Sequence, residues 1–353
     1  MPESVPDKPL SDRERTVLRY IVHDFIQTAT PVGSRYVSRR HEDVLGLSSA
    51  SIRNVMSDLE YLGYLDHPHT SAGRIPTDLG YRFYLDSLME MEQLSAGEQQ
   101  TIRENIDPTV DHDLILRESS RILGRISRQL SIVTAPHLNS GTFEKMELIQ
   151  VSSTRIMVII SIKSGLVRTI MMEVASEIPR GTLEELARFL NERLSGLTLR
   201  EIRETFSARV FEAQDEHTGL IRLFIDSVDK LFPTGMTEKV HISGTEGILE
   251  QPEFEDPKDL RGVIELINNE EIIIHILEKT GTTPHQVAVR IGNENDEEKL
   301  KAYSVISSSY HMGDVVGSIG MIGPTRMQYS RMIPLVDYVA RTISNMFSHN
   351  ERT

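Results

Sequence analysis

Arg53 and Asn54, set among Ser49, Ala50, Ser51 and Ser57, are the residues of this 353-residue chain whose types and spacing suit a defined chemistry. Short side chains let a helix approach the floor of a DNA major groove, an arginine can fork onto guanine, and an asparagine can pair with adenine. The plain alternative is a solvated helix face, which needs no ligand. Other chemistries have less to work with. The chain contains no cysteine, which excludes disulfides, thiolate zinc sites and cysteine nucleophiles. His67 and His69 flank a proline with no further ligand close by, a poor match to a tetrahedral metal site. His275, His285 and His311 stand apart from acidic or serine partners, so no catalytic triad can be argued. Gly317, Gly320 and Gly323 repeat as Gly-x-x-Gly-x-x-Gly, which is neither the dinucleotide fingerprint nor a phosphate-gripping loop. They are expected to let a strand bend and pack closely on the last helix. The acidic run from Ile291 to Glu298 does not have calcium-loop spacing and reads as a solvated turn. Met312, Met321, Met327 and Met332 read as core filler. No enzyme, metal or cofactor is expected from these residues.

The elements that must carry Arg53 and Asn54 follow from caps and periodicity. Ser11-Asp12-Arg13-Glu14 is a capping box. Behind it Val17, Leu18, Ile21, Val22, Phe25 and Ile26 recur at helical spacing, predicting a helix over 11–28 with one buried stripe. Thr30 to Gly33 breaks the chain, and Ser34 can cap a second helix through Val37 to about Asp43. Gly46 and Leu47 make a turn. Ser48 or Ser49 caps a third helix whose apolar positions Ile52, Val55, Met56, Leu59 and Leu62 face inward, with Gly63 as its stop. Residues 64–66 and 74–76 predict two short strands, a wing whose His69, Thr70, Ser71 and Arg74 can contact phosphates or reach the minor groove. Arg35, at the start of the second helix, is a further candidate DNA contact.

Charge neither supports nor opposes this reading. The net charge is −14, yet residues 33–57 hold four arginines against two acids. A small basic face on an acidic body fits a DNA-binding protein with strong salt sensitivity. A hydrophobic share of 39% with 25% charged residues is that of a globular protein, and the length predicts two or three domains. The N-terminus lacks the pattern of a signal peptide and no apolar run approaches the roughly 20 residues of a membrane span, which points to the cytoplasm.

Further along, Thr77 is expected to cap a connector helix running through Leu79, Phe83 and Leu88 towards Leu94, with Ser95-Ala96-Gly97 loosening its end. Leu114, Ile115, Ile122, Leu123 and Ile126 mark another helix. Residues 143–151, 155–162 and 166–174 predict an antiparallel meander. Helical patterns follow over 183–194 and 220–232, a short strand near 240–243 and a helix over about 258–277. Strand runs return at 285–291, 302–309 and 313–322, before a last helix with Met332, Val336, Val339 and Ile343 on its inner face. Three strands, a helical interlude and three more strands predict one α+β domain with an insertion.

Two long motifs give these residues a family. Ser49 to Asn54, then Asp58-Leu59-Glu60, Gly63-Tyr64-Leu65, Pro68 to Thr77 and Gly80 to Asp86 resemble the HrcA family of bacterial heat-shock repressors. The run from Gly317 to Tyr329 is similar to that family's second signature. Val55 is a departure, standing where the family is expected to carry an acidic residue, at a position that can lie on the helix flank. The resemblance implies an α+β multidomain protein: a winged helix-turn-helix with its connector (1–94), and a GAF-like domain in two parts (95–175 and 256–353) interrupted by an inserted dimerisation domain (176–255). It further implies a homodimer on double-stranded DNA at the CIRCE inverted-repeat operator of chaperone operons, and a GroE chaperonin that keeps the repressor active. The alternative is a metabolite-sensing regulator with the same head and a ligand in the GAF-like domain.

Overall fold

The computed structural model describes residues 9–68, 73–106, 111–210, 218–232, 239–254, 257–278 and 286–349. Its N-terminal unit begins with α1 (Asp12–Thr28), whose first turn is closed by the Ser11–Glu14 capping box and whose inner face buries Val17, Leu18, Ile21 and Val22. Next come α2 (Ser34–Arg40), the single turn α3 (Glu42–Leu45) and α4 (Ser49–Tyr61). The second helix is therefore shorter than its pattern predicts. Its cap is Gly33, without a side-chain hydrogen bond, while Ser34 is turned into the core. Ser48 caps α4, its hydroxyl accepting from the Ser51 N–H. Strands β1 (Leu65–Asp66) and β2 (Ile75–Pro76) pair antiparallel. Val32 adds a third rung by exchanging both backbone hydrogen bonds with Arg74, at 2.9 and 3.0 Å.

Thr77 caps α5 (Asp78–Phe83) as expected, but α5 continues only into a π turn over Tyr84–Leu88. The chain then runs extended along the last helix, where the Glu92 N–H donates to the Ser330 carbonyl at 3.0 Å. The connector helix towards Leu94 is thus corrected to one that stops at Leu88, because backbone groups beyond it pair outside the segment. Ser95 and Glu98 do not loosen a helix end. They form a second capping box that starts α6 (Ala96–Asn105), and the Ser95 hydroxyl and N–H, with Arg331, hold the Glu98 carboxyl down at about 2.

A five-stranded antiparallel sheet forms the centre of the body, in the order β7 (Val240–Ser243), β3 (Leu130–Thr134), β10 (Val315–Pro324), β9 (Tyr303–Met312) and β8 (Ala288–Ile291). On one face lie α7 (His112–Ser127) and α15 (Tyr329–His349), whose Met332, Val336, Val339 and Ile343 are all buried. The other face packs α12 (Thr245–Leu249), α13 (Pro257–Ile267) and α14 (Glu270–Glu278) around Leu130, Ile132, Val305 and Ile322. The single helix expected over 258–277 is two, because Asn269 breaks the run and its side chain accepts from the Ile272 N–H at 3.3 Å. Gly317, Gly320 and Gly323 do allow close packing, but against different neighbours than expected. An added Cβ would meet the Tyr310 ring, the Ile306 carbonyl and Gln129, which are sheet partners and the approach to β3 rather than α15.

The meander is present as β4 (Phe143–Ser152), β5 (Arg155–Ile162) and β6 (Val167–Glu173), yet it pairs with no strand of the five-stranded sheet. Its inner face, Ile156, Val158, Ile160 and Ile162, meets the Leu183, Leu186, Leu190 and Leu194 stripe of α8 (Arg180–Leu194). Helices α9 (Leu199–Val210), α10 (Thr218–Asp226) and α11 (Val228–Leu231) complete this second unit. The early strand of the central sheet is instead β3, which the sequence pattern did not reveal.

Candidate nucleic-acid interface

Helix α4 is held by its apolar face: Ile52, Val55, Met56 and Leu59 are buried against α1 and α2. Val55 is 6% exposed, so position 55 belongs to the core and not to the helix flank. The opposite face carries Ala50, Arg53, Asn54 and Ser57, all exposed, with Ser49 and Ser51 half-buried beside them. These six residues fall on the first two and a half turns, where i, i+3 and i+4 spacing gathers them on one surface. Ser57 Oγ donates back to the Arg53 carbonyl at 3.2 Å, and Ser51 Oγ accepts from Ser48 Oγ at 3.0 Å, so both hydroxyls lie close against the helix. The side chains of Arg53 and Asn54 extend outward. Beyond them Asp58 is exposed, and its carboxylate limits a DNA-facing surface to the first two and a half turns of α4.

Arg35 lies exposed on α2. Arg74, on the bridge that precedes β2, is placed differently from an open cation: its Nη2 is 2.7 Å from the Glu60 carboxylate on α4 and its Nη1 donates to the Gly73 carbonyl. Its side chain is only 18% exposed. It therefore braces the hairpin against α4. His69, Thr70 and Ser71 lie outside the described residues. Of the neighbouring imidazole at His67, Nδ1 is 2.8 Å from the Pro68 carbonyl, and among the described residues no group of three or more His, Asp or Glu side chains is gathered as for a metal ion.

Three positioning features have no local sequence signal. Asp24 of α1 is fully buried, and its carboxylate sits 2.9 Å from His41 Nε2 and 3.2 Å from Arg40 Nε, at the junction of α2 and α3. His41 stacks on Tyr20 with ring centroids 3.9 Å apart, and Arg40 donates to the Tyr36 hydroxyl. Gly80 of α5 rests on the backbone just before β1, where an added Cβ would come within 2.2 Å of the Tyr64 carbonyl. Third, the acidic loop is not simply solvated. Glu294 receives both Nε and Nη2 of Arg82, which also donates to the Val289 carbonyl, and Asp78 accepts from the Asn293 backbone and side chain at 2.9 and 2.8 Å. The loop thus docks α5 onto the body.

A cavity lined by His275, Ile276, Arg290 and Asn295 holds about 10 Å³, space for one water and not for a metabolite. Among the described residues no helix is long and apolar enough to cross a membrane.

A family profile described as "HrcA protein C terminal domain" matches residues 113–333. The chain is 41% identical over 351 residues to the heat-inducible transcription repressor HrcA of Chlorobium phaeobacteroides strain BS1, covering 96% of this chain and 99% of that one. It is 40% identical over 346 residues to the protein of the same name from Chlorobium chlorochromatii, covering 97% and 98%. Among solved structures, a hypothetical protein determined by crystallography superposes with a TM-score of 0.60 at 28% identity, covering 97% of this chain and 99% of that one.

Proposed function

Because the chain belongs to the HrcA family of heat-inducible transcription repressors, we propose that its N-terminal unit is a winged helix-turn-helix that reads operator DNA with the outer face of α4. The observation that supports this most is the exposed set Ala50, Arg53, Asn54 and Ser57 on a helix whose other face is locked in the core. Small residues allow groove entry, and the two long polar side chains reach base edges. Arg53→Ala is expected to weaken binding to an inverted-repeat operator by about 1 to 3 kcal/mol and binding to random duplex by much less, as read in gel shifts. An equal loss on both duplexes would make Arg53 a phosphate contact.

Arg74 serves as a strut and not as a phosphate ligand. Arg74→Ala should lower affinity on every duplex alike while leaving the salt dependence unchanged. A slope shallower by about one would show that Arg74 leaves Glu60 to take a phosphate.

The repressor acts in the cytoplasm as a homodimer on the CIRCE inverted repeat, with its active fraction set by the GroE chaperonin. Dimer formation fits the outer face of the meander, where Ile149 and Val151 of β4 and Val167 and Met171 of β6, on either side of β5, expose 40, 53, 59 and 41% of their surface. The central sheet with its covering helices is the GAF-like domain, and the inserted dimerisation domain then spans about 142–232, a larger piece than its helices alone. A gel shift on the inverted repeat and on a scrambled control, with and without chaperonin, tests the reading. No preference for the operator would overturn it, and a small molecule that released the DNA would favour the metabolite-sensing alternative.

A further inference from the structure

The run Gly323-Pro324-Thr325-Arg326-Met327 ends the central sheet and leads into α15, and its arginine reaches out of the body. Arg326 Nη1 donates to the carbonyl of Ile26, in the last turn of α1, at 2.6 Å. Its Nε and Nη2 fork onto Glu253 at 2.5 and 3.1 Å, and only 14% of the side chain is exposed. Helix α1 has no basic residue in its last turn. Its terminal carbonyls, which carry the negative end of the helix dipole, are met by a cation 300 positions later in the chain. The second anchor is Arg82 on Glu294, with Asp78 on Asn293, on α5 of the same head. Beside Arg82 on α5, Tyr81 packs on Tyr329, whose hydroxyl is itself fixed by Ser304 and the Thr325 carbonyl, each at 2.6 Å.

We propose that Arg326 is the positioning residue that sets the angle of the DNA head on the body, by capping α1 from outside while Glu253 holds its guanidinium. This rests on the reading of α4 as the DNA-facing helix. A fork of fixed geometry with three donors directed at two elements defines an angle, which a single flexible ion pair does not. One anchor alone leaves the head free to pivot, and two anchors on different helices of the head, α1 and α5, remove that freedom. In a dimer on an inverted repeat, head angle decides whether both copies of α4 enter the groove together.

The chain has no cysteine, so Glu42→Cys on α3 and Arg121→Cys on α7 give one label each on head and body, both at exposed positions. Labelled protein, diluted with unlabelled chain, reports the distance within one protomer by pulsed dipolar spectroscopy. Arg326→Gln and Glu253→Gln should each broaden that distance distribution, with Arg326→Lys intermediate because it keeps charge and loses the fork. Affinity for the full inverted repeat should fall at least tenfold and affinity for a single half-site less than threefold. An unchanged distribution in Glu253→Gln and Arg326→Lys overturns the proposal, as does an equal loss on both duplexes or a gain on the full repeat. If the unsubstituted chain binds neither duplex, the DNA-binding reading fails while the distance measurement still decides the clamp. Should Arg326→Gln not fold, the other two variants carry the test.

Discussion

Replacing Asp24 by alanine is expected to destabilise the head by about 3 kcal/mol, measured as the loss of amide protection in α1 and α2 by hydrogen exchange. The carboxylate has no access to water and is flanked by Arg40 and His41, so its removal strands two cationic or polar partners and leaves a gap beside α1. The loss lies at the lower end of the range for breaking a buried pair, because the Arg40 side chain is 46% exposed and can turn to solvent. The effect on DNA is indirect. Asp24 pins the point where α2 ends and the chain turns towards α4, so Asp24→Ala should weaken operator and random duplex together. Asp24→Asn keeps the shape and one acceptor, and should cost no more than about half as much. A head that stays fully protected in Asp24→Ala would mean that the apolar stripe of α1 suffices to hold α2 in place.

Gly244→Ala should be the most damaging single methyl group in the body, at about 3 to 4 kcal/mol. Gly244 precedes α12 with φ of +84°, where an L side chain costs roughly 1 to 2 kcal/mol. Its Cβ would lie 2.0 Å from the Gln129 carbonyl and 3.0 Å from the Cα of Gly124 in α7, both backbone atoms that cannot swing aside. Overpacking of that kind adds about 1 to 3 kcal/mol. Because β7 pairs with β3 and β3 with β10, any shift propagates into the central sheet. Calorimetry should show the body's transition lowered by roughly 10 °C, and a change under about 2 °C would show that the crossing of α7 and β7 is slack. The contrast with Arg53→Ala is useful: Gly244→Ala should reduce the amount of active protein at high temperature without altering the preference for operator over random duplex.

The sequence disclosed the head more fully than the body, for physical reasons. Ser11 and Glu14, and then Ser48, announce helix starts through local hydrogen bonds, and the α1 and α4 stripes repeat at helical spacing. The meander alternates buried and exposed residues along β5, which is the pattern of a half-buried strand. Strand β3 does not alternate. All five of its residues are buried, and a short apolar run with both faces covered looks the same whether it is strand or helix. Without β3, the pattern assigns the meander to the central sheet, whereas it forms a three-stranded sheet of its own. The Ser95–Glu98 box is a local signal for the start of α6, with the same spacing as the Ser11–Glu14 box of α1. Of the candidate interface, Arg53, Asn54 and Ser57 stand exposed where helical periodicity puts them. Arg74 does not stand open, because its partner Glu60 lies one helix away and no local pattern encodes that distance. Asp24, Arg82 and Arg326 were invisible for the same reason, each meeting partners that only the folded chain brings near.

The long reach of Arg326 to Ile26 also sets an order of events during synthesis. A ribosome adding about 5 to 20 residues per second completes the head at Leu88 and needs roughly 12 to 48 s more to deliver the arginine that caps α1. Through that interval β3 waits for β10, and α1 lacks the guanidinium that meets its last turn. On the proposed reading, a nascent or truncated chain would carry α4 without the Arg326 clamp, and the head's fixed direction on the body would arrive only with the last few dozen residues.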